Sequence, residues 1–313
     1  MSLDRATVRS PSSIANVGPG FDVFGIALNE PYDTIEVRKT SEPGVHVESV
    51  SGMGSYAVTL DNTKNTAAVA ASQVLRMAKV DFGITMKINK GIRPASGMGS
   101  SGASAAGGAY AANQLLDRPL DMNSLILAAS YGEEASSGSR HADNAGPALM
   151  GGFTIIRSYE PMDVIRIDPP RNLGIVATLP EFAVSTRDAR KKVPKSVPIH
   201  DVIHQIGHAS SLAVGMVRGD MGLIARSIND IIIEPARAPL VPHLKEAERA
   251  AMNAGAIASF LGGSGPCIAA FYDTDKVNGV DIAAAVQRFY EGHGVECFCW
   301  VTSWGEGCRV VNK

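Results

Sequence analysis

The chain has 313 residues, 45% of them hydrophobic and only 19% charged, with a formal net charge of −2. That balance sustains a large packed core. It excludes a disordered or fibrous chain and any electrostatic case for binding nucleic acid or an anionic membrane. No apolar run approaches the ~20 residues that a lipid-spanning helix needs, and no apolar signal region follows the first residues, so a cytoplasmic protein is expected.

Residues 5–11 and 31–39 alternate as strands do, most clearly in Thr34-Ile35-Glu36-Val37-Arg38. Residues 65–78 have helical spacing and open at Asn65. Thr85–Asn89 is a strand, residues 102–116 a helix, and Asp121 is placed to cap a further helix running to about residue 136. Residues 151–157 read as a strand. Pro169-Pro170 marks a break, and the length predicts two domains, 1–168 and 169–313. Beyond it come a strand at 174–179, helices at 201–217, 219–230 and 242–253, an apolar strand at 267–272 and a helix at 279–291. Strands and helices mix without regular β-α-β alternation, which favours α+β layers over a doubly wound sheet.

The cysteines are Cys267, Cys297, Cys299 and Cys308. Cys297 and Cys299 are one residue apart, closer than the usual spacing of zinc pairs. Alternation from Val295 to Val301 reads instead as a strand carrying buried thiols on one face.

Between the strand at 85–89 and the helix at 102–116 lies Pro94-Ala95-Ser96-Gly97-Met98-Gly99-Ser100-Ser101-Gly102-Ala103-Ser104. Glycines and serines run directly into alanines, so a loop feeds a helix N-terminus. Free N–H groups and partial positive charge there attract anions, and glycine lets the main chain approach them closely. The run lacks the lysine of a Walker A loop, and it is not a dinucleotide fingerprint. Read alone, it is also compatible with a flexible turn before a tightly packed helix.

Two more glycine-rich segments flank it in the chain: Ser12-Ser13-Ile14-Ala15-Asn16-Val17-Gly18-Pro19-Gly20-Phe21-Asp22 and Leu261-Gly262-Gly263-Ser264-Gly265-Pro266. Together the three resemble the motifs of the GHMP small-molecule kinases, over essentially the whole chain. The first segment and the run Glu133–Asn144 point to the branch whose acceptor is a hydroxylated amino acid. The resemblance implies an α+β, two-domain GHMP kinase fold, with a ribosomal-protein-S5-like N-terminal domain and a ferredoxin-like C-terminal domain. It also implies ATP and Mg²⁺ as cofactors, and it allows a homodimer without requiring one.

The resemblance places the ATP phosphates on Gly97, Met98, Gly99, Ser100 and Ser101, flanked by Pro94 and Ser96. Many relatives carry leucine and alanine where this chain has Met98 and Gly102, and both changes are expected to be mild. Asn65 matches an adenine-contacting asparagine, and equally fits a plain helix N-cap. Glu133 would hold Mg²⁺ with the Ser101 hydroxyl; the alternative for an acid at that position is a helix surface. On the substrate side, Asp22 is the expected partner of an ammonium, and Asn16 would orient the reacting hydroxyl. His141 would meet the polar end of the substrate, Arg190 and Arg237 its carboxylate, and Gly263 would close the site. Arg187 competes with Arg190 in the same segment. No lysine stands in the first segment to activate the hydroxyl, so no strong general base is expected. The competing expectations are a kinase for another alcohol (mevalonate-like, sugar or shikimate-like) and a non-catalytic sensor of ATP or an amino acid.

Overall fold

Helix α1 (Thr66–Ala78) begins where the sequence places it, because the Asn65 side chain accepts from the N–H groups of Ala67 and Ala68. The computed structural model describes residues 3–182 and 184–312. Its first half runs β1 (Arg5–Ala15), β2 (Phe24–Thr40), β3 (Val45–Gly52), α1, β4 (Gly83–Lys90), α2 (Ser100–Gln114), α3 (Met122–Ser137), α4 (Ala145–Met150), β5 (Phe153–Tyr159) and β6 (Met162–Ile167). The second half continues with β7 (Leu173–Pro180), α5 (Thr186–Lys191), α6 (Ile199–Arg218), α7 (Met221–Ser227), α8 (Ile233–Arg237), α9 (Leu244–Asn253), β8 (Ala258–Leu261), β9 (Ile268–Asp273), α10 (Gly279–Glu291), β10 (Cys297–Ser303) and β11 (Arg309–Asn312).

The first sheet has the order β11-β1-β2-β4-β3, with β5 and β6 joined through the start of β2. β3 and β4 are parallel; the other pairs are antiparallel. Helices α1, α2 and α3 cover this sheet, and alanines such as Ala67, Ala71, Ala105, Ala109 and Ala129 let them pack closely. The second sheet, β10-β7-β9-β8, is antiparallel, with helices between β7 and β8 and between β9 and β10. A separate core joins the two halves: Ile14, Phe24, Met98 and Phe153 pack with Ile175, Phe260 and Phe271.

Several features were not legible in the sequence. β3, β6, β8 and β11 went unread; β6 and β8 pair with their chain neighbours β5 and β9, whereas β11 pairs across the whole length of the chain with β1. The helix expected at 219–230 stops at Ser227, because Asp230 instead caps α8 through the N–H groups of Ile232, Ile233 and Glu234. β10 carries Cys297 buried and Cys299 half-buried, whereas Val301 faces solvent.

An ion cluster of two buried glutamates and an exposed lysine ties α8, α9 and β8 together. Lys245 donates to Glu234 and, at 2.9 Å, to Glu248; Glu234 accepts from the Leu261 N–H at 2.8 Å. Burial, then the neighbouring Glu234, push the Glu248 carboxyl up from 4.5 to about 8. The folded protein therefore favours protonated Glu248. Its contribution to stability is complete below about pH 4.5 and is lost as pH rises through about 8. Melting temperatures of wild type and Glu248→Gln between pH 5 and 9 test this. The wild type should lose stability across that window and the variant should lose less; equal slopes would refute the assignment.

Candidate active site

β1 ends at Ala15, and the chain then turns through three residues with positive φ: Asn16 (71°), Val17 (45°) and Gly18 (70°). A β-branched residue rarely adopts such a backbone, so tertiary contacts hold it. Asn16 supplies two of them: its Nδ2 donates to the Gly263 carbonyl at 3.0 Å, and its Oδ1 accepts from the Asp22 N–H at 3.2 Å. The first and third glycine segments are thereby tied together.

The middle segment is closed on both sides by main chain. The Ser13 N–H donates to the Met98 carbonyl at 3.2 Å, and the Cys267 N–H to the Ser96 carbonyl at 3.1 Å. Gly97 has φ 79°, and a Cβ there would lie 2.8 Å from the Gly262 carbonyl oxygen. No side chain fits. α2 starts after Gly99, which has no side chain to cap it, so the N–H groups of its first turn remain available to an anion.

Beside that turn, Ser101 Oγ donates to Glu133 and lies 2.9 Å from Ser136 Oγ. Glu133 is buried, on α3. Burial pushes its carboxyl up, while His141 and the Ser101 hydroxyl pull it back. His141 Nδ1 is 3.5 Å from Glu133 and 3.6 Å from Asp143. Burial opposes the imidazolium, but the neighbouring Asp143 and Glu133 carboxylates outweigh it and raise His141 to about 9. His141 is thus a cation at neutral pH.

Across the cleft, Arg190 grips Asp22 with both ends of its guanidinium, at 2.5 and 3.3 Å. Burial, then the nearby Asp143, raise the Asp22 carboxyl despite this pair. Buried Arg237 donates to the Gly263 carbonyl at 2.8 Å. The guanidinium carbons of Arg190 and Arg237 lie 5.2 and 5.0 Å from the centre of the Phe21 ring.

One cleft therefore gathers Asn16, Asp22, Ser96, Gly97, Gly99, Ser100, Ser101, Glu133, His141, Arg190, Arg237 and Gly263. Three expected contacts stand apart from its lining. Met98 is buried between the sheets, and its N–H is used by Ser96 Oγ. Pro94 packs toward Gly54. Asn65 caps α1, and its Nδ2 donates to the Thr59 carbonyl at 2.7 Å. The helix-surface alternative for Glu133 fails, because the side chain faces the cleft. The Arg187 side chain lies outside the described residues. Asp143 and Asn144 were not assigned roles from the sequence, although they sit in the Glu133–Asn144 run. Asn144 Oδ1 accepts from Ser13 Oγ at 3.0 Å. Gly102 also proves less replaceable than expected: a Cβ there would lie 2.6 Å from that of Asn144.

A helix start with free N–H groups, a carboxylate beside it and a facing cluster of cations suit phosphoryl transfer. The family model "GHMP kinases N terminal domain" matches residues 65–152, and "GHMP kinases C terminal" matches residues 212–292. The chain is 40% identical over 305 residues to homoserine kinase from Natronomonas pharaonis, covering 97% of this chain and 99% of that one. It is also 40% identical over 302 residues to homoserine kinase from Thermococcus gammatolerans, covering 96% and 98%. The crystal structure of homoserine kinase from Cytophaga hutchinsonii superposes with a TM-score of 0.93 at 34% identity, covering 99% of this chain and 98% of that one. The chain belongs to the GHMP kinases, an α+β, two-domain family. Within them its place is among the homoserine kinases, ATP-dependent enzymes acting on an alcohol.

Gly97→Ala should leave the fold intact by circular dichroism while lowering kcat/KM for ATP about 100-fold, because the loop must shift away from Gly262. Unchanged ATP kinetics would show that the middle segment does not cradle the phosphates.

Proposed function

We propose that the chain transfers the γ-phosphoryl group of ATP to the side-chain hydroxyl of L-homoserine, giving O-phospho-L-homoserine, a step of threonine biosynthesis. The observation that carries this reading is the facing arrangement of the α2 N-terminus and the Asp22, Arg190, Arg237 cluster in one cleft. A free α-amino acid needs an anion for its ammonium and cations for its carboxylate, and a plain alcohol needs neither.

The two halves of that recognition set neutralise each other, Asp22 against Arg190. Entry of the zwitterion exchanges this internal pair for two external ones: ammonium on Asp22, carboxylate on Arg190 and Arg237. Asn16, held by Gly263 and Asp22, orients the hydroxyl toward the phosphates.

Magnesium takes hard oxygen ligands, usually one or two carboxylates completed by phosphate oxygens and water. Glu133 and the Ser101 hydroxyl, already in contact beside the first turn of α2, fit that requirement. The ion would neutralise charge on the polyphosphate.

The groups near the hydroxyl are poor bases. His141 is cationic at neutral pH, and Asp22 is taken by the ammonium of the substrate. Phosphoryl transfer through a loose transition state needs little early proton removal, so positioning and charge neutralisation supply the rate.

A coupled ADP-release assay compares L-homoserine with mevalonate, shikimate and galactose. Release that depends on homoserine is expected. Release with another acceptor would discard the amino-acid pocket, and ATP binding without release would favour a sensor. Asn16→Ala should lower kcat with little change in KM for homoserine, and unaffected turnover would remove its orienting role. Arg237→Ala should raise the homoserine KM about 10–100-fold with kcat largely kept, as for lost uniform binding. A fall confined to kcat would contradict that role.

A further inference from the structure

A fully buried ion pair lies beneath the phosphate loop without lining the cleft. Lys90 is the last residue of β4 and Asp33 lies within β2; their side chains are 1% and 0% exposed. Lys90 Nζ donates to Asp33 Oδ2, to the Ser100 carbonyl at 3.0 Å and to Ser104 Oγ at 2.7 Å. Asp33 Oδ1 accepts from the N–H groups of Gly91 and Ile92, at 3.0 and 3.1 Å. Ser104 Oγ donates to Asp33 Oδ2 at 3.0 Å, and Ser100 Oγ to the Ile92 carbonyl at 2.9 Å.

These bonds have a particular distribution along the chain. Asp33 holds the residues that enter the loop, and Lys90 holds the residue that leaves it and the second turn of α2. Burying two charges is expensive, and an apolar pair of similar volume would often hold a sheet to a helix equally well. What an apolar pair cannot supply is directed bonds to both ends of the loop. The Lys90 charge also acts on Glu133 across the first turn of α2.

We propose that Lys90 and Asp33 are positioning residues for the nucleotide: together they set the spacing between the two ends of the phosphate loop, and so the aim of the first-turn N–H groups of α2. Neither residue touches substrate; both act through the main chain of Gly91, Ile92 and Ser100. The inference rests on the proposed ATP-dependent activity for its kinetic readout, but its binding readout needs only ATP.

The test uses Lys90→Met, Lys90→Arg and the double variant Lys90→Met/Asp33→Leu. It measures melting temperature, ATP affinity by titration calorimetry, and KM for each substrate. Lys90→Met should lose stability, because it strands a buried carboxylate, and the double variant should regain much of it. Both should bind ATP about 10–100-fold more weakly while the homoserine KM changes less than about twofold. Lys90→Arg should recover part of the ATP affinity. A double variant with wild-type ATP affinity would overturn the proposal, as would equal losses for both substrates. Wild type that binds ATP but releases no ADP with homoserine would count against the proposed function alone; the calorimetric comparison would still decide the role of the pair.

Discussion

Main chain meets main chain where the three glycine-rich segments converge. The Ser13 N–H reaches the Met98 carbonyl, the Cys267 N–H reaches the Ser96 carbonyl, and the Gly263 N–H reaches the Ala15 carbonyl at 3.2 Å. The last two contacts cross from the first half to the second, so the cleft floor is part of the joint between the halves. Beside them, a Cβ on Gly97 would lie 2.8 Å from the Gly262 carbonyl oxygen, so a side chain there would push the loop away from the third segment. The second core, with Phe24, Met98 and Phe153 packed against Phe260 and Phe271, holds the halves at the separation those bonds require. Catalytic geometry and interdomain packing are therefore one constraint here. A change that shifts one sheet against the other must also move the phosphate loop.

Charge is organised around the same floor. Asp22, Glu133 and Asp143 contribute anions; Arg190, Arg237 and His141 contribute cations; Lys90 lies just beneath. These groups satisfy one another, through Arg190 on Asp22 and through His141 between Glu133 and Asp143. A zwitterion and a polyphosphate can each take over part of these pairings without leaving an uncompensated buried charge. That suits phosphoryl transfer, because unpaired buried charge is costly and well-placed charge is effective.

The positions that matched expectation are those whose signal is local. Asn65 and Asp121 cap α1 and α3, as short polar side chains before apolar helical spacing do. The loop-to-helix transition at Gly99 and Ser100 follows from glycine and serine giving way to alanine. The same locality limits the reading. Asn65 fits a cap and a nucleotide contact alike, and its side chain makes the capping bonds of α1. Gly102 was expected to be a mild replacement, but its constraint comes from Asn144, more than forty residues away in the chain. Lys90 and Asp33 look like ordinary charged residues in alternating strands, and nothing nearby in sequence marks them as buried.

The sequence by itself determined which segments bend, which run as helix, and which backbone stretches are bare enough to hold an anion. Those properties reside in φ preferences, capping groups and side-chain size within a few residues. Only the tertiary structure decided that Arg190 meets Asp22, that His141 is charged between two carboxylates, that Asn144 braces Ser13, and that β11 closes back onto β1. Each depends on residues brought together by the packing of two sheets. Pairing energies and proton affinities are set by what lies within a few ångströms in space, and the order of residues along the chain does not contain that distance.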